Sequence, residues 1–90
     1  MSYKTDNVIV GSYVIVTYGD KLYPGIVEKI DHDEYEVNAM CQVEGNKGHF
    51  RWPYREDKIW YNKECVLEAI PPLVFIRRGV FDCPAIRKYL

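Results

Sequence analysis

Between positions 49 and 58 the basic residues His49, Arg51, Arg55 and Lys58 interleave with the aromatic Phe50, Trp52 and Tyr54. Proteins grip single-stranded nucleic acid with such a mixture, setting cations on phosphates and stacking rings on bases. Arg77 and Arg78 could extend the patch, whereas Glu56 and Asp57 inside it oppose phosphate. The same layout also describes a solvated strand face whose long side chains snorkel over apolar neighbours. Tyrosine is the other concentrated chemistry, with eight in 90 residues. Tyr13 and Tyr35 are expected in the core, and Tyr3 and Tyr89 lie in weakly held chain ends. Tyr18, Tyr23, Tyr54 and Tyr61 remain beside predicted loops.

Catalytic spacing is missing. The chain has no Gly-rich phosphate loop, no G-x-S-x-G, and no Cys and His arranged as nucleophile and base. Asp31, Asp33, Glu34 and Glu36 cluster around His32, but neighbours on a strand alternate faces and cannot act as an acid/base pair across a substrate. Cys41, Cys65 and Cys83 are odd in number and far apart, without a C-x-x-C. That excludes a conventional disulfide framework, and neither histidine stands at zinc-ligand spacing from a cysteine. The expectation is three reduced thiols in an intracellular protein that is not an enzyme and needs no metal or cofactor.

The elements that must position these residues read as β-strands. Residues 13–18 are β-branched or aromatic throughout, and Gly19-Asp20-Lys21 is a turn. Residues 22–30 form a second strand, with Pro24 expected on an edge or at a bulge because it lacks a ladder donor. After a turn at 31–33, residues 34–43 alternate with period two. Tyr35, Val37, Ala39, Cys41 and Val43 should face inward, and Glu34, Glu36, Asn38, Met40 and Gln42 outward. A Gly/Asn loop at 44–48 precedes extended residues 49–52. Residues 58–61 predict another short strand, 62–65 a helical turn, and 66–70 a last strand ended by Pro71-Pro72. Beyond it, Leu73-Val74-Phe75-Ile76 is β-prone, Arg77-Arg78-Gly79 turns, and Asp82 could cap a short helix with Pro84 in its first turn. Trp60 is expected to be structural and Trp52 the more exposed of the two tryptophans.

Composition limits the function. Twelve Lys plus Arg against 13 Asp plus Glu leave a net charge of −1, without the basic excess of a dedicated nucleic-acid binder. No apolar run approaches the roughly 20 residues that span a bilayer, and residues 1–7 are polar, expected to fray, and lack a secretory signal's apolar stretch. Short strands between turns predict an all-β fold: a small five-stranded barrel over residues 8–72, with residues 73–90 as an extension that packs on it or links to a partner.

Residues 14–31, with Tyr18 ending one strand and Tyr23-Pro24-Gly25-Ile26-Val27 opening the next, resemble the first hairpin of a Tudor domain, a member of the SH3-like barrels. Tyr35-Glu36-Val37 is similar to the family's third strand, and Gly45-Asn46 falls where a Gly-Asn turn is common. Residues 50–72 carry a looser similarity to a small domain of animal transposon-derived proteins, which implies a nuclear, chromatin-associated setting. The Tudor resemblance implies a reader of methylated lysine or arginine through a cage of aromatic rings. Cation–π attraction supplies the affinity, about 0.5–2 kcal/mol per contact. Carried over by position, Tyr18 and Tyr23 are cage walls, Asn46 the loop asparagine, and Asp20 a negative rim. The family's third aromatic falls at Met40, a departure that leaves Phe50 or Trp52 to complete the cage.

The expected function is therefore a non-catalytic module that binds a peptide, including a methylated histone tail or an Arg-methylated protein. Two other classes stand beside it. One is an accessory nucleic-acid-binding barrel using Arg51, Arg55 and Lys58. The other is a structural interaction domain that docks through an exposed edge or through residues 73–90.

Overall fold

The β-branched and aromatic run at 13–18 suits a pleated surface better than a helix, and it forms β1 (Tyr13–Tyr18). The computed structural model describes residues 8–90, so the polar start and Tyr3 lie outside the described residues. A two-residue hairpin at Gly19-Asp20 joins β1 to β2 (Lys21–Asp31). Gly19 takes a φ of +64°, the left-handed conformation such a turn requires. A turn at His32 and Asp33 leads to β3 (Glu34–Ala39). The hairpin of β4 (Cys41–Val43) and β5 (Asn46–Arg51) follows, then β6 (Lys58–Asn62). A 3-10 turn, Lys63–Cys65, leads into β7 (Val66–Ile70). The chain closes with β8 (Val74–Arg77), β9 (Val80–Asp82) and a 3-10 segment, Pro84–Tyr89.

The fold is all-β, with its strands in two antiparallel sheets of order β6-β3-β2-β1-β7 and β4-β5-β9-β8. In the first, β1, β2 and β3 form a meander, β6 adds to β3 after the β4–β5 excursion, and β7 returns to pair with β1. It curls strongly. In a flat sheet β1 and β6, with two strands between them, would lie about 14 Å apart. The rings of Tyr18 on β1 and Tyr61 on β6 nevertheless meet at 6.5 Å between centroids. The edge strands β6 and β7 do not pair with each other, so the expected closed five-stranded barrel is instead a curled sheet, open along that seam.

The second sheet corrects the reading of residues 34–43 as one strand. Pairing of β2 with β3 ends at Gly25 and Ala39, and the chain breaks at Met40 before β4 joins the other sheet. The two strands approach closely there: a Cβ on Gly25 would lie 2.6 Å from Val37 Cγ1 and 2.7 Å from the Asn38 carbonyl oxygen. Pro24 stands in the central strand, buried, and not on an edge. Its carbonyl accepts from the Met40 N–H at 2.8 Å. Its missing donor therefore faces the side where the β3 ladder has already stopped, and no bond to β1 is lost.

Two cores result. Val14, Val16, Val27, Tyr35, Val37, Tyr61 and Val66 fill the concave face of the curled sheet. Ile15, between Val14 and Val16, points the other way and meets Met40, Phe50, Ile70, Cys83 and Ile86. β1 is thus buried on both faces, which is why its apolar run has no polar alternation. Residues 73–90 supply much of the second core, and β9 pairs with β5. Asp82 does not cap a helix: its carboxylate accepts from Arg87 Nη2 at 2.7 Å. Nor is Tyr89 loosely held, since its hydroxyl donates to Glu68, as does the Lys88 ammonium.

Candidate functional site

Where the first core runs out at the tip of the β1–β2 hairpin, the structure has an open hollow of about 340 Å³. Tyr18, Tyr23 and Tyr61 line it, with Met40, Cys41, Asp57 and Ile59. Local register explains the first pair. Val16 lies opposite Tyr23 and Tyr18 opposite Lys21, so the two rings are diagonal neighbours on one face of the hairpin. Tyr61 arrives from the far edge of the sheet. β6 pairs with β3 at Tyr35 and Tyr61, and the curl swings that ring over to Tyr18, edge to face at 77°. Asp57 is anchored just before β6 by its backbone carbonyl, which accepts from the Ala39 N–H at 3.0 Å.

The electrostatics of the hollow follow from its lining, which holds one carboxylate, Asp57, and no cationic side chain. Tyr61 is only 5% exposed. Burial, then the charge of Asp57, push its phenol up to about 12, with Tyr18 and Tyr23 adding in the same direction. Three ring faces and edges around one anion favour a cation that sheds its water easily. An anion or a phosphate would meet Asp57 unopposed.

The residues expected from sequence separate into two groups. Tyr18, Tyr23 and Met40 come together in the hollow. Met40, expected to face outward, is 3% exposed and also belongs to the second core. Phe50 is 1% exposed inside that core and cannot form a cage wall. Trp52 is half-buried against the same core, while Trp60 is the more exposed tryptophan, the reverse of expectation. Phe50 and Trp52 share one cause: β5 belongs to the second sheet, and its face packs on Ile15, Ile70 and Ile86 where a single barrel would have left it open. Asn46 serves its own turn, accepting from the Gly48 N–H at 3.0 Å and donating to His49 Nδ1 at 3.1 Å. Asp20 lies on the far side of Tyr23 from the hollow, beside Lys21.

Tyr61 and Asp57 take the places that sequence reasoning assigned to Trp52 and Asp20. Tyr61 was already among the loop-side tyrosines, but nothing in its own segment ties it to Tyr18. Arg51, Arg55 and Lys58 are exposed. The aromatics expected to stack with them are dispersed, with Phe50 internal, Trp52 half-covered and Tyr54 fully exposed. Lys58 also faces Glu56 at 3.7 Å.

Of the cysteines, Cys83 is buried, which raises its thiol pKa, while Cys41 and Cys65 are half-buried. Among the described residues no group of three or more His, Cys, Asp or Glu stands together to hold a metal ion, and no helix is long and apolar enough to cross a membrane. Compared with family models, with curated proteins and with solved structures, the chain matches none.

Proposed function

We propose that this protein is a non-catalytic binding module that takes a methylated lysine or arginine side chain of a partner peptide into the three-tyrosine hollow. The observation that carries this reading is the convergence of Tyr18, Tyr23 and Tyr61, from three different strands, around an open space with Asp57 as its one charged group. Methylation keeps the positive charge of an ammonium or guanidinium while weakening its hydration. Ring faces then compete well with water, at about 0.5–2 kcal/mol for each cation–π contact. Asp57 adds Coulomb attraction and an acceptor for any N–H the ligand retains. The Tudor resemblance of the first hairpin supports the reading, as does the strand order, a curled sheet in which a strand that follows a 3-10 turn returns to pair with β1. Methylated histone tails and Arg-methylated proteins are the proposed partners, in a nuclear setting.

Amide chemical-shift titration with matched methylated and unmethylated lysine and arginine peptides tests this. Methyl-dependent shifts are expected at Tyr18, Tyr23, Asp57 and Tyr61. Flat resonances there at millimolar peptide, for every methylated form, would remove the proposal.

A further inference from the structure

The second sheet ends on β8, which pairs with β9 on one side and with no described strand on the other. A strand in that position keeps a row of backbone N–H and C=O groups open to another extended chain. Its side chains are apolar as well: Val74, Phe75 and Ile76 are all exposed, Phe75 to 64%. Register explains the apolar edge. Phe50 on β5 lies opposite Phe81 on β9, and Phe81 opposite Phe75. Directly opposed residues share a face, so one row of three phenylalanines crosses the sheet. Phe50 is buried in the second core and Phe81 packs half-buried against it. Phe75 meets the Phe81 ring edge to face at 6.0 Å, with most of its own surface in solvent. The core face of the sheet thus runs on to an open edge.

The two ends of β8 differ in chemistry. Beside its start lies a depression of about 380 Å³, whose lining includes Pro72, Leu73, Val74, Cys83 and Pro84 and carries no charged side chain. Leu73 and Cys83 pack in the second core, as Phe81 does, so the depression opens on the face of the phenylalanine row. At the other end stand Arg77 and Arg78, both exposed, and among the described residues neither has an ion-pair partner. β8 is four residues long, with a bulge between Phe75 and Arg77, and Pro71-Pro72 keep it from lengthening. Backbone pairing over so short a stretch does not hold a partner unless side chains contribute. We propose that β8 takes up an extended segment of another protein, running antiparallel to it. Carboxylates of that segment meet Arg77 and Arg78, and apolar residues two and four positions further on cover Phe75 and fill the depression. Charge selects this occupant over a second copy of the chain. Two copies of β8 paired antiparallel about the Phe75–Ile76 midpoint set Arg77 against Val74 and Arg78 against Leu73, so neither arginine gains a carboxylate. The antiparallel order follows from its stronger pairing per residue.

Amide chemical-shift titration of the whole chain at low salt tests this without reference to the tyrosine hollow. The probe is a Gly/Ser-flanked peptide, Glu-Glu-Thr-Val-Thr-Leu, compared with versions in which Gln-Gln or Lys-Lys replaces Glu-Glu. Saturable shifts are expected at the amides of residues 73–78. Gln for Glu should weaken binding by about three- to tenfold, the range of one or two exposed ion pairs, and the difference should shrink as salt rises. Arg77→Glu/Arg78→Glu, two exposed changes, should turn the preference toward the Lys-Lys peptide. Phe75→Ser should lower affinity by about tenfold, the loss of one partly covered ring. Equal affinity for the three peptides, a Glu preference that survives the charge reversal, or unchanged binding by Phe75→Ser overturns the proposal. So does the absence of saturable shifts at residues 73–78 at millimolar peptide. Concentration-dependent broadening of the same amides without peptide would make the occupant a second copy and likewise overturn it.

Discussion

Replacing Tyr18 and Trp52 one at a time with alanine separates binding from folding. Tyr18 is 62% exposed, and its ring meets Tyr61 edge-on at 6.5 Å. Such an aromatic pair contributes about 0.5–1.5 kcal/mol beyond area burial, and little burial is lost with a side chain already in solvent. Tyr18→Ala should therefore lower stability by about 1 kcal/mol. The same ring would supply one cation–π contact to the ligand, so affinity for a dimethyllysine peptide should fall roughly twofold to thirtyfold. Trp52 is the opposite case. It packs half-buried against the core of Ile15, Met40 and Phe50 and does not line the hollow. A fully buried Trp→Ala change costs about 3–5 kcal/mol, and half-burial scales that to about 2 kcal/mol. Trp52→Ala should destabilise the fold yet bind the peptide like the parent. Denaturant unfolding and peptide titration on the same three proteins measure both quantities. A folded Trp52→Ala that ignores the peptide, beside a Tyr18→Ala that binds normally, would refute the placement of the cage.

Two further outcomes probe what holds the site. Gly25→Ala would set a Cβ 2.6 Å from Val37 Cγ1 and 2.7 Å from a backbone oxygen. Since β3 must move to admit it, a loss of about 1–3 kcal/mol is expected in denaturant unfolding, and parental stability would show that the β2–β3 approach is slack. The second outcome concerns alkaline pH. The Tyr61 phenol is raised to about 12 from an ordinary value near 10, so the folded state holds this proton more tightly than the unfolded chain. Its contribution is complete below about pH 10 and is lost as pH climbs through about 12, amounting to about 3 kcal/mol. Tyr89, raised in the same direction by burial and by Glu68, adds to the loss. Tyr61→Phe should flatten much of the decline in unfolding free energy over that range. An equally steep decline in the variant would show that Tyr61 does not keep its proton more tightly in the fold.

Legibility followed sequence distance. The hairpin at Gly19-Asp20, the strands at 13–18, 58–61 and 66–70, and the helical turn before β7 all follow from residue type and local turn chemistry. So does the proximity of Tyr18 and Tyr23, since a two-residue turn sets their register. The break at Met40 was not legible, because residues 34–43 keep a period of two straight through it. Nothing in that pattern records that Gly25 and Pro24 end the ladder on the neighbouring strand. β9 was missed for a related reason. It is three residues long, and its pairing with β5 spans more than thirty positions of chain.

By itself the sequence determined that this chain is built of strands, that it lacks the spacings of known catalytic motifs, and that Tyr18 and Tyr23 stand together beside the first turn. Only the tertiary structure decided which third ring joins them. Alternation tells a side chain which face of its own strand it occupies, not which sheet that strand enters or what covers the face. Curling of the first sheet brought Tyr61 and Asp57 to the two tyrosines from more than thirty residues away. The second sheet drew Phe50 into a core and half-covered Trp52. Long-range pairing made both choices, and no local pattern encodes it.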